Sequence, residues 1–347
     1  AAAAQVKESF TVSKLLREGS IDRIVQKDEP LVQSFARPTD LASYSDKDVL
    51  SFVQKMQKEL QAKSEHILNA MIRVSTLEVS KLFVSANREL DQNYTWINGF
   101  MGLAYREIDK TVQVFGFCDS ANMADVMAEL PGKMDDLVDR AHHLTLAKPI
   151  EPGVYDVITA PSITGLIAHE AFGHGVEMDQ FVKDRALAKQ YVGKYVASPI
   201  CNMRDGAAAQ LGTATTGNGR RQSSRRKAYS RMTNTFFEKG KDKLEDMIAS
   251  IQHGYMLFET SNGMEDPKNW AIQCVAQYGI EIVDGKLTDN YVAPVVMSGY
   301  VPDLLKSISM ISDDFEISGS GLCGKGYKEW VRVSDGGPAL KVRVKLG

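Results

Sequence analysis

The chain has 347 residues, of which 44% are hydrophobic and 24% charged, and carries a net charge of −3. That composition is ordinary for a globular protein and leaves room for two domains, while the slightly negative balance gives no electrostatic footprint for direct nucleic-acid binding. No apolar run approaches the ~20 residues of a membrane span, the opening "AAAAQVKESF" has neither region of a signal peptide, and the cysteines at 118, 201, 274 and 323 form no C-x-x-C pair, as expected of a cytoplasmic protein.

In chain order, residues 43–63 place apolar side chains at 49, 50, 52, 53, 56 and 60 behind a Ser/Asp entry, the pattern of a capped amphipathic helix. Residues 71–90 and 101–117 are rich in β-branched and aromatic residues and are expected to be antiparallel strands. Residues 121–144 form a second helix, broken at Pro131. Together these predict an α+β N-terminal domain over 1–150. After the joint "AKPIEPG" (147–153) come a short strand, 154–160, and a helix with the most chemically loaded stretch of the chain. The basic cluster "RRQSSRRK" (220–227) reads first as a solvated loop. Alanine runs at 1–4 and 207–209 leave the loops around 200–220 without a readable assignment. From 270 onward strands dominate, with Asp284-Gly285 as a hairpin turn and an alternating terminal strand over 339–347. The expectation is an α+β fold whose second domain, 151–347, joins a metal-binding helix to a largely antiparallel β region.

That helix contains "IAHEAFGHGVE" (167–177). In H-E-x-x-H, two histidines at i and i+4 bind zinc and the glutamate is the base. Here His169 and His174 stand five apart. In a regular α-helix an i, i+5 pair diverges by about 140°, against about 40° for i, i+4. Two readings are open. Either the histidines are unrelated, or the helix carries one extra residue, a π-bulge, that returns both imidazoles to one side. Gly173 permits such a distortion. A catalytic zinc needs a third protein ligand and an open position. Candidates are His66, His142, His143, His253, Glu177, Asp179 and Cys323, the last in the glycine-rich "SGSGLCGKG" (318–326), although most free cysteines are simply small buried hydrophobes.

Several stretches, in order, resemble one family: "HEAFGHGVEMD" (169–179), "GNGRRQ" (217–222), "RMTNTFFEKG" (231–240), "GKLTDN" (285–290), "SISMISDDFEISGSGLCGKG" (307–326) and "GGPALKVRVKLG" (336–347). They resemble the TldD/PmbA family, also called the TldD/TldE proteins or modulators of DNA gyrase, over roughly 153–347. The HExxxH makes the chain similar to the TldD-type, metal-bearing subunit. The resemblance implies a zinc metallopeptidase with His169, His174 and Cys323 as ligands and Glu170 as general base. It also implies pairing, as a homodimer or as a heterodimer with a paralogous PmbA/TldE-type subunit, and unfolded polypeptides as substrates. The stretch between "ASPICN" (197–202) and "GNGRRQ" is shorter than the family pattern.

In the expected mechanism zinc acidifies water, and Glu170 takes its proton and returns it to the leaving amine. The His/Cys donor set favours zinc, with iron or nickel open. Arg231 and Asn234 are expected either to hold substrate or to form a structural network at a strand edge. A β wall beside a metal helix suits substrate capture by strand addition. Two rival functions are a non-catalytic, gyrase-modulating scaffold with a structural metal and a zinc hydrolase of small amides.

Overall fold

Ser45 opens the first helix with a reciprocal cap. Its hydroxyl accepts the Asp48 N–H at 3.3 Å, and the Asp48 carboxylate accepts the Ser45 N–H at 2.9 Å. The helix, α1 (Asp46–Gln61), turns Met56 and Leu60 into the core. The structure, a computed structural model, describes residues 29–206, 219–327 and 329–347. Its strands are β1 (Leu31–Ala36), β2 (Ile67–Val84), β3 (Arg88–Glu107), β4 (Lys110–Ser120), β5 (Gly153–Thr159), β6 (Met203–Asp205), β7 (Gly219–Arg220), β8 (Tyr229–Ser230), β9 (Asn234–Phe237), β10 (His253–Asp266), β11 (Ala271–Val283), β12 (Lys286–Val292), β13 (Val295–Tyr300), β14 (Met310–Ile311), β15 (Glu316–Lys325), β16 (Glu329–Gly337) and β17 (Leu340–Leu346). The fold is α+β.

Chain contacts divide the molecule into two units. In the smaller, the described residues before Pro38 join Glu78–Tyr94, and β1 pairs in parallel with the start of β3, from Leu31↔Arg88 to Ala36↔Asn93. The larger unit comprises Pro38–Leu77 and Thr95–Gly347. Within it β4 continues along β3, antiparallel, from Ile97↔Ser120 to Glu107↔Lys110. Helices α1, α2 (Met123–Gly132) and α3 (Met134–Leu146) pack on this sheet. Met56, Met101, Val114, Leu130 and Leu137 belong to their shared core.

Two departures from the expected elements have local causes. Each predicted strand contains a hairpin turn. Within 71–90 the chain reverses after Val84, where the Ser85 hydroxyl accepts the Asn87 and Arg88 N–H groups at 3.3 and 3.0 Å. Within 101–117 it reverses at Ile108-Asp109, both left-handed (φ 48° and 60°), a turn normally signalled by Asn-Gly. The helix break falls at Lys133 (φ −90°, ψ −2°), two residues beyond Pro131, which occupies the last turn of α2.

In the second half, β10-β5-β17-β13-β11 pair in sequence and β11 pairs back to β10, closing a five-stranded ring. The terminal strand β17 pairs with β5 over its whole length, Leu340↔Thr159 to Leu346↔Gly153. The Asp284-Gly285 turn joins β11 to β12 as expected, with φ of 49° and 74°. Most pairs here are antiparallel, but β5–β10 and β9–β16 are parallel. A separate sheet runs β15-β16-β9-β6. Helix α4 (Pro161–Ile167) shares its core with Val157, Leu257, Cys274 and Val342, which fixes the segment that follows it.

The β3–β4 turn gives a direct test. A left-handed residue other than glycine costs about 1–2 kcal/mol, and Ile108 is 73% exposed, so its side chain adds no core. The double variant Ile108→Asn, Asp109→Gly should raise stability by about 1–2 kcal/mol in urea unfolding; an unchanged midpoint would refute the strain assigned to this turn.

Candidate metal centre

Proline at the first position starts α4, and the chain runs without a break into a π-helix, Ala168–Gly173. The His174 N–H donates to the His169 carbonyl, an i→i+5 bond, so the extra residue is absorbed in the backbone. The two imidazoles lie together, centroids 5.0 Å apart and planes at 81°. Two glycines make room for what holds the turn. A Cβ on Gly173 would lie 1.9 Å from Met232 Sδ, and one on Gly175 would lie 2.9 Å from Trp270 Nε1. Fully buried Trp270 donates its indole N–H to the Ala171 carbonyl at 2.7 Å, tying the irregular turn to β11's neighbourhood through a side chain.

Cys323 arrives on β15, an edge strand of its sheet. Its Sγ lies 3.6 Å from His174 Nε2. One donor atom each from His169, His174 and Cys323 lie within 4.8 Å of one another, all three residues buried, and among the described residues no fourth His, Cys, Asp or Glu joins that group. A second cluster, Glu170, His174 and Glu265, meets the same distance limit. The donor chemistry, two imidazoles and a thiol, suits zinc. His169 Nδ1 is buried with no hydrogen-bond partner, and Asp335 Oδ2 lies 3.7 Å away. The residues present therefore fit a zinc ion.

The electrostatics are those of a buried polar cluster. Burial, with His174 and Arg231 nearby, holds His169 well below the usual histidine range. Burial would lower His174 too, but hydrogen bonds to Cys323 and Glu177 outweigh it and raise the group. Burial pushes Glu170 up to about 8; His174 opposes the shift and Glu265 adds to it. Asp335 is pushed up to about 7, again by burial. A divalent cation would reverse this logic and favour the ionised carboxylates.

These groups open into a cavity of about 770 Å³. Residues 259–265 of β10 line it, as do residues of β15. A Cβ on Gly263 would come 2.5 Å from Glu170 Cγ, so this glycine lets β10 lie directly against the motif helix.

The four other histidines named from sequence lie elsewhere, while Glu177 and Asp179 both accept from Lys325 close to the donor group. His142 bonds Glu107 at 2.6 Å, His143 stacks on Tyr291 at 4.3 Å, and His253 bonds Glu281 at 3.1 Å. His66 sits 4.0 Å from Glu107. Arg231 and Asn234 are not among the cavity-lining residues. Arg231 is fully buried and donates to the backbone carbonyls of Cys323 (2.5 Å) and Glu329 (3.1 Å), while Asn234 donates to the Gly206 carbonyl at 2.8 Å. Both make the structural network that was one of their two expected roles. The stretch between 202 and 217, expected to be shorter than the family pattern, lies outside the described residues from 207 onward.

The sequence profile of the PmbA/TldA metallopeptidase C-terminal domain matches residues 152–207 and 204–345, more than half the chain. The chain belongs to the TldD/PmbA family. It is 29% identical over 235 residues to a zinc metalloprotease TldD homolog of Saccharolobus solfataricus, covering 56% of this chain and 52% of that one. It is 23% identical over 389 aligned positions to a metalloprotease of Synechocystis, covering 98% of this chain and 81% of the relative. The chain spans about half the length of most of the curated relatives it matches. The crystal structure of TldE from Thermococcus kodakarensis has the same fold, with a TM-score of 0.69 at 18% identity, covering 97% of this chain and 82% of that one.

Lys325, Glu265 and Asp335 stand at the site with no role assigned from sequence, and Glu177 was named there only as one candidate ligand. Glu177 and Lys325 lie inside the matching stretches, so their position was a signal. Glu265 and Asp335 sit outside any readable pattern and reach the site only through strand pairing. Glycine at 173 is the local requirement most easily tested. Gly173→Ala forces Met232, itself fully buried, to move and should cost about 1–3 kcal/mol. Adding Met232→Ala should recover part of that loss, because the two changes share one space; strict additivity of the two unfolding free energies would contradict the packing described.

Proposed function

We propose that the chain carries the active centre of a zinc-dependent peptidase acting on unfolded polypeptides, the TldD-type member of a pair. The observation that carries this reading is the convergence of two imidazoles and one thiol beside a glutamate, Glu170, at the wall of a cavity of about 770 Å³. His169, His174 and Cys323 would hold the ion. Zinc bound there supplies Lewis acidity, which polarises a peptide carbonyl and acidifies water. Glu170, adjacent in sequence to a ligand but outside the three-donor group, takes the proton from the attacking water and hands it to the leaving amine nitrogen. Three donors and an open position favour catalysis over a structural, four-ligand site.

Strand geometry supports an extended substrate. β5 pairs with β10 only through residues 254–257, so residues 259–265, which line the cavity, have no strand on that side among the described residues. A peptide laid along this edge would be held by its backbone, and sequence tolerance would follow. The likeness to TldE and to TldD homologs supports a homodimer or a heterodimer with a TldE-type paralogue.

Two outcomes are expected. Chelation should abolish cleavage of a reduced, alkylated polypeptide and zinc should restore it; activity that survives full metal removal would refute the peptidase chemistry. Glu170→Gln should retain zinc while kcat falls by about 10²–10⁴-fold, with a dipeptide amide a far poorer substrate than the polypeptide. Turnover of the variant at the unmodified rate would remove Glu170 from the mechanism, and preference for the small amide would redirect the substrate class.

A further inference from the structure

Two charged residues behind the three donors are buried far more deeply than their chemistry tolerates alone. The Glu177 side chain is 1% exposed and that of Lys325 is 11% exposed. Glu177 Oε2 faces both His174 Nδ1, at 3.2 Å, and Lys325 Nζ, at 2.5 Å. Lys325 uses its other donors on Asp179 Oδ1 (2.8 Å) and the Ser230 carbonyl (3.1 Å), so all three N–H bonds are satisfied. Each partner is tied to one side of the donor group. Glu177 follows His174 by three residues at the exit of the motif helix. Lys325 follows Cys323 by two on β15, and the two-residue period of a strand puts both on one face.

We propose that Glu177 and Lys325 form a clasp that positions the metal site, locking the histidine-bearing turn to the cysteine-bearing strand. The inference deepens the proposed function and rests on its reading of His169, His174 and Cys323 as ligands. The clasp does two things. The carboxylate accepts a hydrogen bond from the His174 Nδ1–H and so selects the tautomer whose Nε2 lone pair points toward Cys323, the role a carboxylate plays behind many metal-bound histidines. The ammonium then holds that carboxylate in register with β15, so the His174–Cys323 spacing is set before an ion enters. Arg231, on the Cys323 carbonyl, fixes the same strand from its backbone. Neither Glu177 nor Lys325 touches the ion; both are positioning residues.

The test is zinc affinity, measured by competition with a chromophoric chelator on the full chain, with circular dichroism of the metal-free forms as the folding control. Lys325→Met and Glu177→Gln should each weaken zinc binding by about 10–100-fold. Lys325→Arg, which keeps the charge, should recover most of it. The double variant Glu177→Gln, Lys325→Met should be no weaker than the worse single variant, because both act through one contact. Should Lys325→Met not fold, Glu177→Gln and Lys325→Arg carry the comparison alone. Folded variants that bind zinc within threefold of the unmodified chain would overturn the clasp and leave the metal site standing. Zinc binding by Cys323→Ser as tight as by the unmodified chain would overturn the ligand assignment and the clasp with it.

Discussion

The hydrogen bond from the His174 N–H to the His169 carbonyl sets everything else at this site. A regular helix would leave the two imidazoles about 140° apart, unable to share an ion. The π-turn brings their centroids to 5.0 Å at the cost of regular backbone bonding, and neighbouring residues compensate. The Trp270 indole takes up the Ala171 carbonyl. Glycines at 173 and 175 let Met232 and Trp270 close over a stretch that any Cβ would obstruct. A backbone irregularity of this kind persists only where surrounding packing over-determines it.

Support comes from residues distant in the chain. β15 brings Cys323 and Lys325, β10 brings Gly263 and Glu265, and β16 brings Asp335, all onto one short helix. Burial makes each polar group expensive unless it has a partner. Most of them have one: Arg231 on backbone carbonyls, Lys325 on two carboxylates and a carbonyl. Buried atoms without hydrogen-bond partners include His169 Nδ1, Glu177 Oε1 and Arg231 Nε at the site, and also Trp96 Nε1, Arg140 Nε and Gln277 Oε1. Such unsatisfied atoms are uncommon in folded proteins and concentrate where a fold serves chemistry over stability.

Much of this was legible in the sequence because it is local. The i, i+5 spacing with Gly173 pointed to a π-bulge, Asp284-Gly285 to a hairpin, and the apolar rhythm of 43–63 to a capped helix. The family motifs singled out Cys323, which spacing alone left among seven candidates, and the structure places its Sγ 3.6 Å from His174 Nε2. What stayed hidden depends on long-range pairing or on atypical turn residues. Ile108-Asp109 forms a left-handed turn without the usual glycine, so a hairpin resembled one strand. Arg231 opens a family motif yet spends its guanidinium on carbonyls nearly a hundred residues away. Glu265 and Asp335 have no pattern of their own, and the register of β10 and β16 delivers them.

X-ray absorption at the zinc edge of the loaded protein tests the assembled site most directly. Two imidazoles, one thiolate and an open position predict one sulfur at about 2.3 Å and nitrogen or oxygen neighbours at about 2.0–2.1 Å, four ligands in all. A shell without sulfur, or one with two sulfurs, would contradict the joining of the π-helix to β15 at a single ion.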